Sequence, residues 1–149
     1  MFTQIISKEY LRTLMIIHGA LTVGQLLFAG VTVIANNGKE MDPAQEQLSN
    51  MLLIMAVLLV SGGIALGSFL FKRRLKQIKD SNNLVDKLNE YSTALIIRFA
   101  LMEAASLFCI VGYLLTSNYI FLCLAAIIVV MFLVLRPTKA SVLRDMELG

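Results

Sequence analysis

The chain has 149 residues, 58% of them apolar and 15% charged, with a formal net charge of +3 and a mean hydropathy of +0.77. Soluble domains are roughly half apolar and roughly a quarter charged, so this composition excludes a water-soluble globule, a disordered tail and a secreted disulfide scaffold. It reads as an integral membrane protein forming one all-α domain over residues 1–149, with the lipid bilayer as its first partner.

The charge is too small to indicate nucleic acid. Cys109 and Cys123 lie inside apolar runs without Cys-x-x-Cys or Cys/His spacing, so they are expected to be free thiols packing as small apolar groups. With Trp absent, Tyr10, Tyr113 and Tyr119 are left to form the interfacial belt. The first apolar stretch is too long for a cleaved leader and carries His18 and Gln25.

In chain order, four apolar runs approach the length of about 20 residues that a membrane helix needs: about 13–35, 51–71, 94–116 and 119–135. Helix is forced there, because lipid offers backbone groups no partner. Asn36-Asn37-Gly38 closes the first helix. Asp42-Pro43-Ala44-Gln45 reads as an N-cap, a first-turn proline and a capping-box glutamine, which starts the second helix ahead of its apolar run.

The second helix ends in Lys72-Arg73-Arg74-Leu75-Lys76-Gln77-Ile78-Lys79, cations that suit a helix C-terminus, and Asp80 to Asn83 form a turn. Leu84, Leu88, Tyr91 and Leu95 then recur at helical spacing into the third run. Helices two and three are therefore expected to project into the cytoplasm as a hairpin in which Leu75, Ile78, Leu84, Leu88 and Tyr91 pack together. Thr116-Ser117-Asn118 is a tight turn, and Pro137 disfavours helix at Arg136. The fourth run is short, but Tyr119 and Arg136 can reach the headgroups.

Lys and Arg set the orientation. The N-terminal segment carries Lys8 and Arg12, the middle loop six cations, and the tail Arg136, Lys139 and Arg144. The first loop has Lys39 alone and the last loop none. The positive-inside rule then places both termini and the middle loop in the cytoplasm of a bacterial inner membrane. Lys72, Arg73, Arg74 and Lys76 are placed to meet lipid headgroups.

Ionisable groups inside a span cost about 2.5–3.5 kcal/mol on insertion scales, so Glu103 stands out. It lies about 14 Å into the third run, near the midplane, where a lone carboxylate is expected to be neutral. Arg98, about 140° around the helix and nearer the cytoplasm, can snorkel. Helix one presents His18, Thr22, Gln25, Ala29 and Thr32 down one face, and Ser61 also falls near the midplane. These spacings predict a buried polar or ion-binding cluster of Glu103 with His18, Thr22, Gln25, Ser61 and Arg98. The alternative is a set of structural hydrogen bonds between helices. Gly63 and Gly67, and Ala20 and Gly24, have the spacing of close helix packing.

Ala100-Leu101-Met102-Glu103-Ala104-Ala105-Ser106-Leu107-Phe108 resembles the carboxylate-bearing helix of the ATP synthase c subunit. Ser61-Gly62-Gly63-Ile64-Ala65-Leu66-Gly67 is similar to that family's glycine-rich first helix. The resemblance covers residues 61–116 and implies a hairpin whose carboxylate, Glu103, takes up and releases a transported ion. The family's Arg-x-Pro loop is missing, the glycine repeat is incomplete, and two further helices flank the hairpin. As a whole the chain resembles the small four-helix inner-membrane proteins of bacteria.

No paired carboxylate, HExxH, nucleophile elbow or P-loop is present, so no enzymatic activity, cofactor or metal is expected. A lone His18 is a hydrogen-bonding residue more readily than a ligand. The expected function is a non-enzymatic structural or accessory membrane subunit, with a membrane-protein partner or a homo-oligomer as its context. The alternative is a proton- or cation-coupled translocator using Glu103.

Overall fold

The computed structural model describes residues 8–40, 42–78 and 84–147, and those residues contain helices and no strand. Helix α1 is Lys8–Ala35, α2 Glu46–Ile78, α3 Leu84–Thr116, α4 Tyr119–Val134 and α5 Lys139–Glu147. Helices α1, α2 and α3 are long and apolar enough to cross a membrane. At 1.5 Å per residue α4 is about 24 Å long, and the chain then bends by 82° into α5.

The helix ends follow local chemistry. Gly38 takes a left-handed φ of 76°, which costs glycine nothing, and Lys39 N–H closes on Asn36 O at 3.0 Å. Asp42 Oδ1 accepts from Ala44 N at 2.9 Å. A 3-10 turn over Pro43–Gln45 then leads into α2, so the helix does start ahead of its apolar run. Between α3 and α4, Ser117 has φ 54° and Asn118 caps α4 by accepting from Ile120 N at 3.0 Å. Asn118 Nδ2 also donates to Ser49 Oγ at 3.0 Å, tying this turn to the start of α2.

Helix α5 is not anticipated from the apolar pattern. Thr138 and Ser141 form a reciprocal cap, with Ser141 N–H on Thr138 Oγ1 at 3.1 Å and Thr138 N–H on Ser141 Oγ at 2.9 Å. This arrangement satisfies two otherwise orphaned donors. Val142, fully buried, then pins the helix to the core.

Helix α3 is the centre of the molecule. Buried residues make up 44% of its most apolar stretch, against 22% in α1 and 11% in α2. Tyr10 bonds to Leu88 O and Asn36 to Tyr113 O, so α1 runs parallel to α3. Arg74 pairs with Glu90 at 3.0 Å and Gly67 packs on Arg98, so α2 runs antiparallel to it. Phe99 meets Phe132, and Gly112 meets Phe121, which makes α4 antiparallel as well.

Glycine permits two of these approaches. A Cβ at Gly63 would lie 3.2 Å from Leu101 O, and one at Gly112 would lie 2.7 Å from the buried Phe121 ring. Helix α4 buries Phe121, Ala125, Ile128 and Phe132, one face at helical spacing.

The remaining surface is strongly apolar. Leu27 is 66% exposed, Ile34 77%, Leu58 65% and Val134 78%, a belt that would drive association in water and is at home in lipid.

Several expectations need correction. Ala20 and Gly24 do not serve packing within the chain: both are exposed, and a Cβ at Gly24 would have no neighbour within 4 Å. Helix α2 is the most exposed of the three long apolar helices because it packs chiefly on α3 alone. Cys109 is buried but Cys123 is exposed, and Tyr113 lies in the core rather than in a belt. In the hairpin, Tyr91 is buried edge-on to Phe71 at 5.7 Å, and Leu75 and Leu88 pack against the core. The Asp80–Asn83 turn and the Ile78 and Leu84 side chains lie outside the described residues.

Candidate functional site

The polar face of α1 points inward, with His18, Thr22, Gln25 and Thr32 all buried. His18 Nε2 lies 2.8 Å from Phe132 O. A carbonyl only accepts, so the proton must sit on Nε2. The imidazole stacks on Phe132 at 4.6 Å and meets the edge of Phe99 at 5.1 Å.

The reason lies at the end of α4. Pro137 has no N–H to offer, and Arg136 N–H turns back to Leu133 O at 3.3 Å. The carbonyl of Phe132 is thereby deprived of its usual helical donor, and His18 supplies one from another helix.

At the other end of the bundle Asn36 supplies such a donor to Leu114 O, whose usual partner Asn118 N–H turns to Thr116 Oγ1, and a second donor to Tyr113 O. Asn36 Nδ2 donates to Tyr113 O at 2.8 Å and Leu114 O at 3.1 Å, two carbonyls in the last turn of α3. The hydroxyls between them bond within α1, Thr22 to His18 O and Thr32 to Ala29 O, each at 2.8 Å.

The structure does not gather the expected cluster. Ser61 is exposed on α2 and bonds back to Val57 O at 2.7 Å. Arg98 turns toward the basic end of the molecule, with its guanidinium 5.3 Å over the Phe71 ring and Nη2 3.5 Å from Ser68 Oγ. Glu103 is half-buried and has no hydrogen bond or ion pair among the described residues. His18 and Thr22 are joined to each other and not to the glutamate.

Gln25 is 1% exposed, and neither its Nε2 nor its Oε1 has a protein partner; the buried Ser106 Oγ is likewise unpaired. Bonds between α1 and α3 keep an offset of 77 to 82 residues. By that offset Gln25 lies level with the stretch of α3 containing Glu103 and Ser106.

The basic end of α2 splits into two faces. Arg73 and Arg74 look toward Asp86 and Glu90 of α3 across a cavity of about 530 Å³. Lys72 and Lys76 face a second cleft that they share with Arg98 and α5. Tyr91 OH reaches Asp145 Oδ2 at 3.2 Å, fastening α5 to α3.

Sequence reasoning missed three of these features. Asn36 reads only as a helix stop, although a buried amide one residue past a helix can also cap a neighbour. Phe99 and Phe132 read as core, with nothing local to show that they enclose an imidazole. Thr138-x-x-Ser141 ahead of Val142 is a capping signal that could have revealed α5. No group of His, Cys, Asp and Glu among the described residues is arranged to hold a metal ion. Comparison with protein-family models, curated proteins and solved structures returned no match.

Proposed function

We propose that this chain is a four-span protein of a bacterial inner membrane, with both termini cytoplasmic, acting as a non-enzymatic structural or accessory subunit. The observation that carries the reading is the use made of the α1 polar face. His18 and Asn36 are bound to carbonyls near the C-terminal ends of α4 and α3. Groups committed in this way hold helices together; they are not poised to exchange a proton or an ion. The cytoplasmic hairpin and the apolar outer faces are the surfaces a partner or a second copy would use.

Topology is checked directly. Reporter fusions at Gly38 and Asn118 are expected to report the outside, and fusions at Asn82 and Gly149 the cytoplasm, because Lys and Arg concentrate on one side. An outside signal at Asn82 would overturn the arrangement.

A second reading, a proton- or cation-coupled translocator, draws on Gln25 and Ser106, unpaired interior polar groups level with Glu103. It matches the resemblance to the c-subunit hairpin, with Glu103 as the ion-binding carboxylate. Glu103→Gln separates the two readings, since the amide keeps the shape and adds a donor. We expect the variant to fold, to keep its function in cells, and to match wild-type vesicles in proton permeability. A wild-type proton flux that Glu103→Gln abolishes would replace the structural reading with translocation.

A further inference from the structure

We propose that the cleft between the end of α2 and the elbow joining α4 to α5 binds a phosphate-bearing anion, with a phospholipid headgroup as the source its walls favour. The cleft has a volume of about 630 Å³ and lies where the apolar runs of α2 and α4 give way to charge. Lys72 and Lys76 enter from α2, Arg98 from α3, Arg136 from the elbow and Arg144 from α5. Asp145 is the carboxylate among the lining residues, and it is engaged by Tyr91 OH at 3.2 Å and Arg144 Nε at 3.5 Å. Lys72, Lys76, Arg98 and Arg136 make no ion pair among the described residues.

Arg98 is the informative member. Its Nε is buried and has no acceptor, while Phe71 underlies its charge. A half-buried guanidinium with no direct ion pair, the nearby Asp145 being held by Tyr91 and Arg144 instead, can take an anion, and its planar fork matches phosphate oxygens. Converging cations with one occupied acid would repel a second cation and attract a dianion or a diester. Val134 and Leu135 continue the wall onto the apolar outer surface, which gives an acyl chain somewhere to lie beside its headgroup. Basic pockets at this level between membrane helices suit anionic lipids. The site depends on neither functional reading above, because Glu103 does not line it.

The test uses the full chain, purified in a non-ionic detergent and reconstituted in nanodiscs of phosphatidylcholine with or without phosphatidylglycerol. Native mass spectrometry counts retained lipid, and calorimetry with inorganic phosphate and glycerol phosphate reads the soluble source. We expect one phosphatidylglycerol retained per chain in preference to phosphatidylcholine. Arg98→Gln should weaken retention by about tenfold, as loss of a charge-assisted pair implies. The Lys76→Gln/Arg136→Gln double variant, at exposed positions where folding is not at stake, should weaken it by at least as much. Arg73→Gln, on the other face of α2, should not. Saturable phosphate or glycerol phosphate binding lost in the same variants, without lipid preference, would keep the site and assign it to a soluble ligand. Equal retention of both lipids without phosphate binding would overturn the proposal. So would losses as large in Arg73→Gln as in the cleft variants, since that is diffuse charge.

Discussion

Replacing Gly112 with alanine is expected to destabilise the bundle by about 1–3 kcal/mol, the range for a methyl forced into a filled core. The added Cβ would lie 2.7 and 2.8 Å from two ring carbons of Phe121, distances at which something must move. The ring cannot swing away easily, because Phe121 is fully buried. The backbone cannot open easily either, because the tight turn at Thr116–Asn118 joins α3 and α4 within about one helical turn of the contact. Gly112→Leu should prevent stable folding altogether. The measurement is loss of helical circular dichroism on heating or SDS titration in detergent, since the chain has no tryptophan to report by fluorescence. The interpretation is checked by a second substitution: Phe121→Leu alone should be costly, yet combined with Gly112→Ala it should recover part of the loss. Strict additivity would mean that the two residues do not meet.

The long helices were legible because lipid leaves the chain little choice. A run of apolar residues in that solvent must be helical, and Asn36-Gly38, Asp42-Pro43 and Thr116-Asn118 mark its ends by local hydrogen bonding. All of those boundaries are where turn chemistry puts them. What could not be read is which face of each helix turns inward. The low amphipathicity that identifies a membrane span also removes the periodicity that identifies its core face. Ala20 and Gly24 have the same spacing as Gly63 and Gly67, but α3 lies against the second pair only. Helix α5 escaped because its signal is a four-residue cap and one valine, too short for any apolar pattern.

The candidate site was legible as a set of residue types and not as an arrangement. The stripe from His18 to Thr32 was visible as an i, i+4, i+7 pattern and does face inward. Its bonded members reach backbone carbonyls, of α4 for His18 and of α1 itself for Thr22 and Thr32, and a carbonyl has no sequence signature. Side chains do have one, and Ser61 and Glu103 are the polar residues at the matching depth. Depth along a helix can be counted from sequence, whereas azimuth around the bundle depends on packing. Ser61 lies on the outer face of α2 and so leaves the stripe without it.

Removing the imidazole tests how much of the bundle rests on that stripe. His18→Ala is expected to cost about 3–5 kcal/mol, the range for deleting a buried aromatic ring, because it empties the space between Phe99 and Phe132 and also removes the donor to Phe132 O. His18→Phe separates the two contributions. It keeps a ring of similar size in the stack but leaves the Phe132 carbonyl without hydrogen bond or water, a loss of about 1–3 kcal/mol. The order wild type, His18→Phe, His18→Ala in thermal or SDS unfolding is therefore the expected result. Asn36→Ala should cost no more than His18→Phe, since at the opposite end it strands Leu114 O while Tyr113 O keeps the Ser117 N–H. Amide exchange would localise the effect, with protection lost first in the last turn of α4 for the His18 variants and in the last turn of α3 for Asn36→Ala. If His18→Phe were as stable as wild type, the carbonyl would not need its donor. The imidazole would then be held for its ring alone.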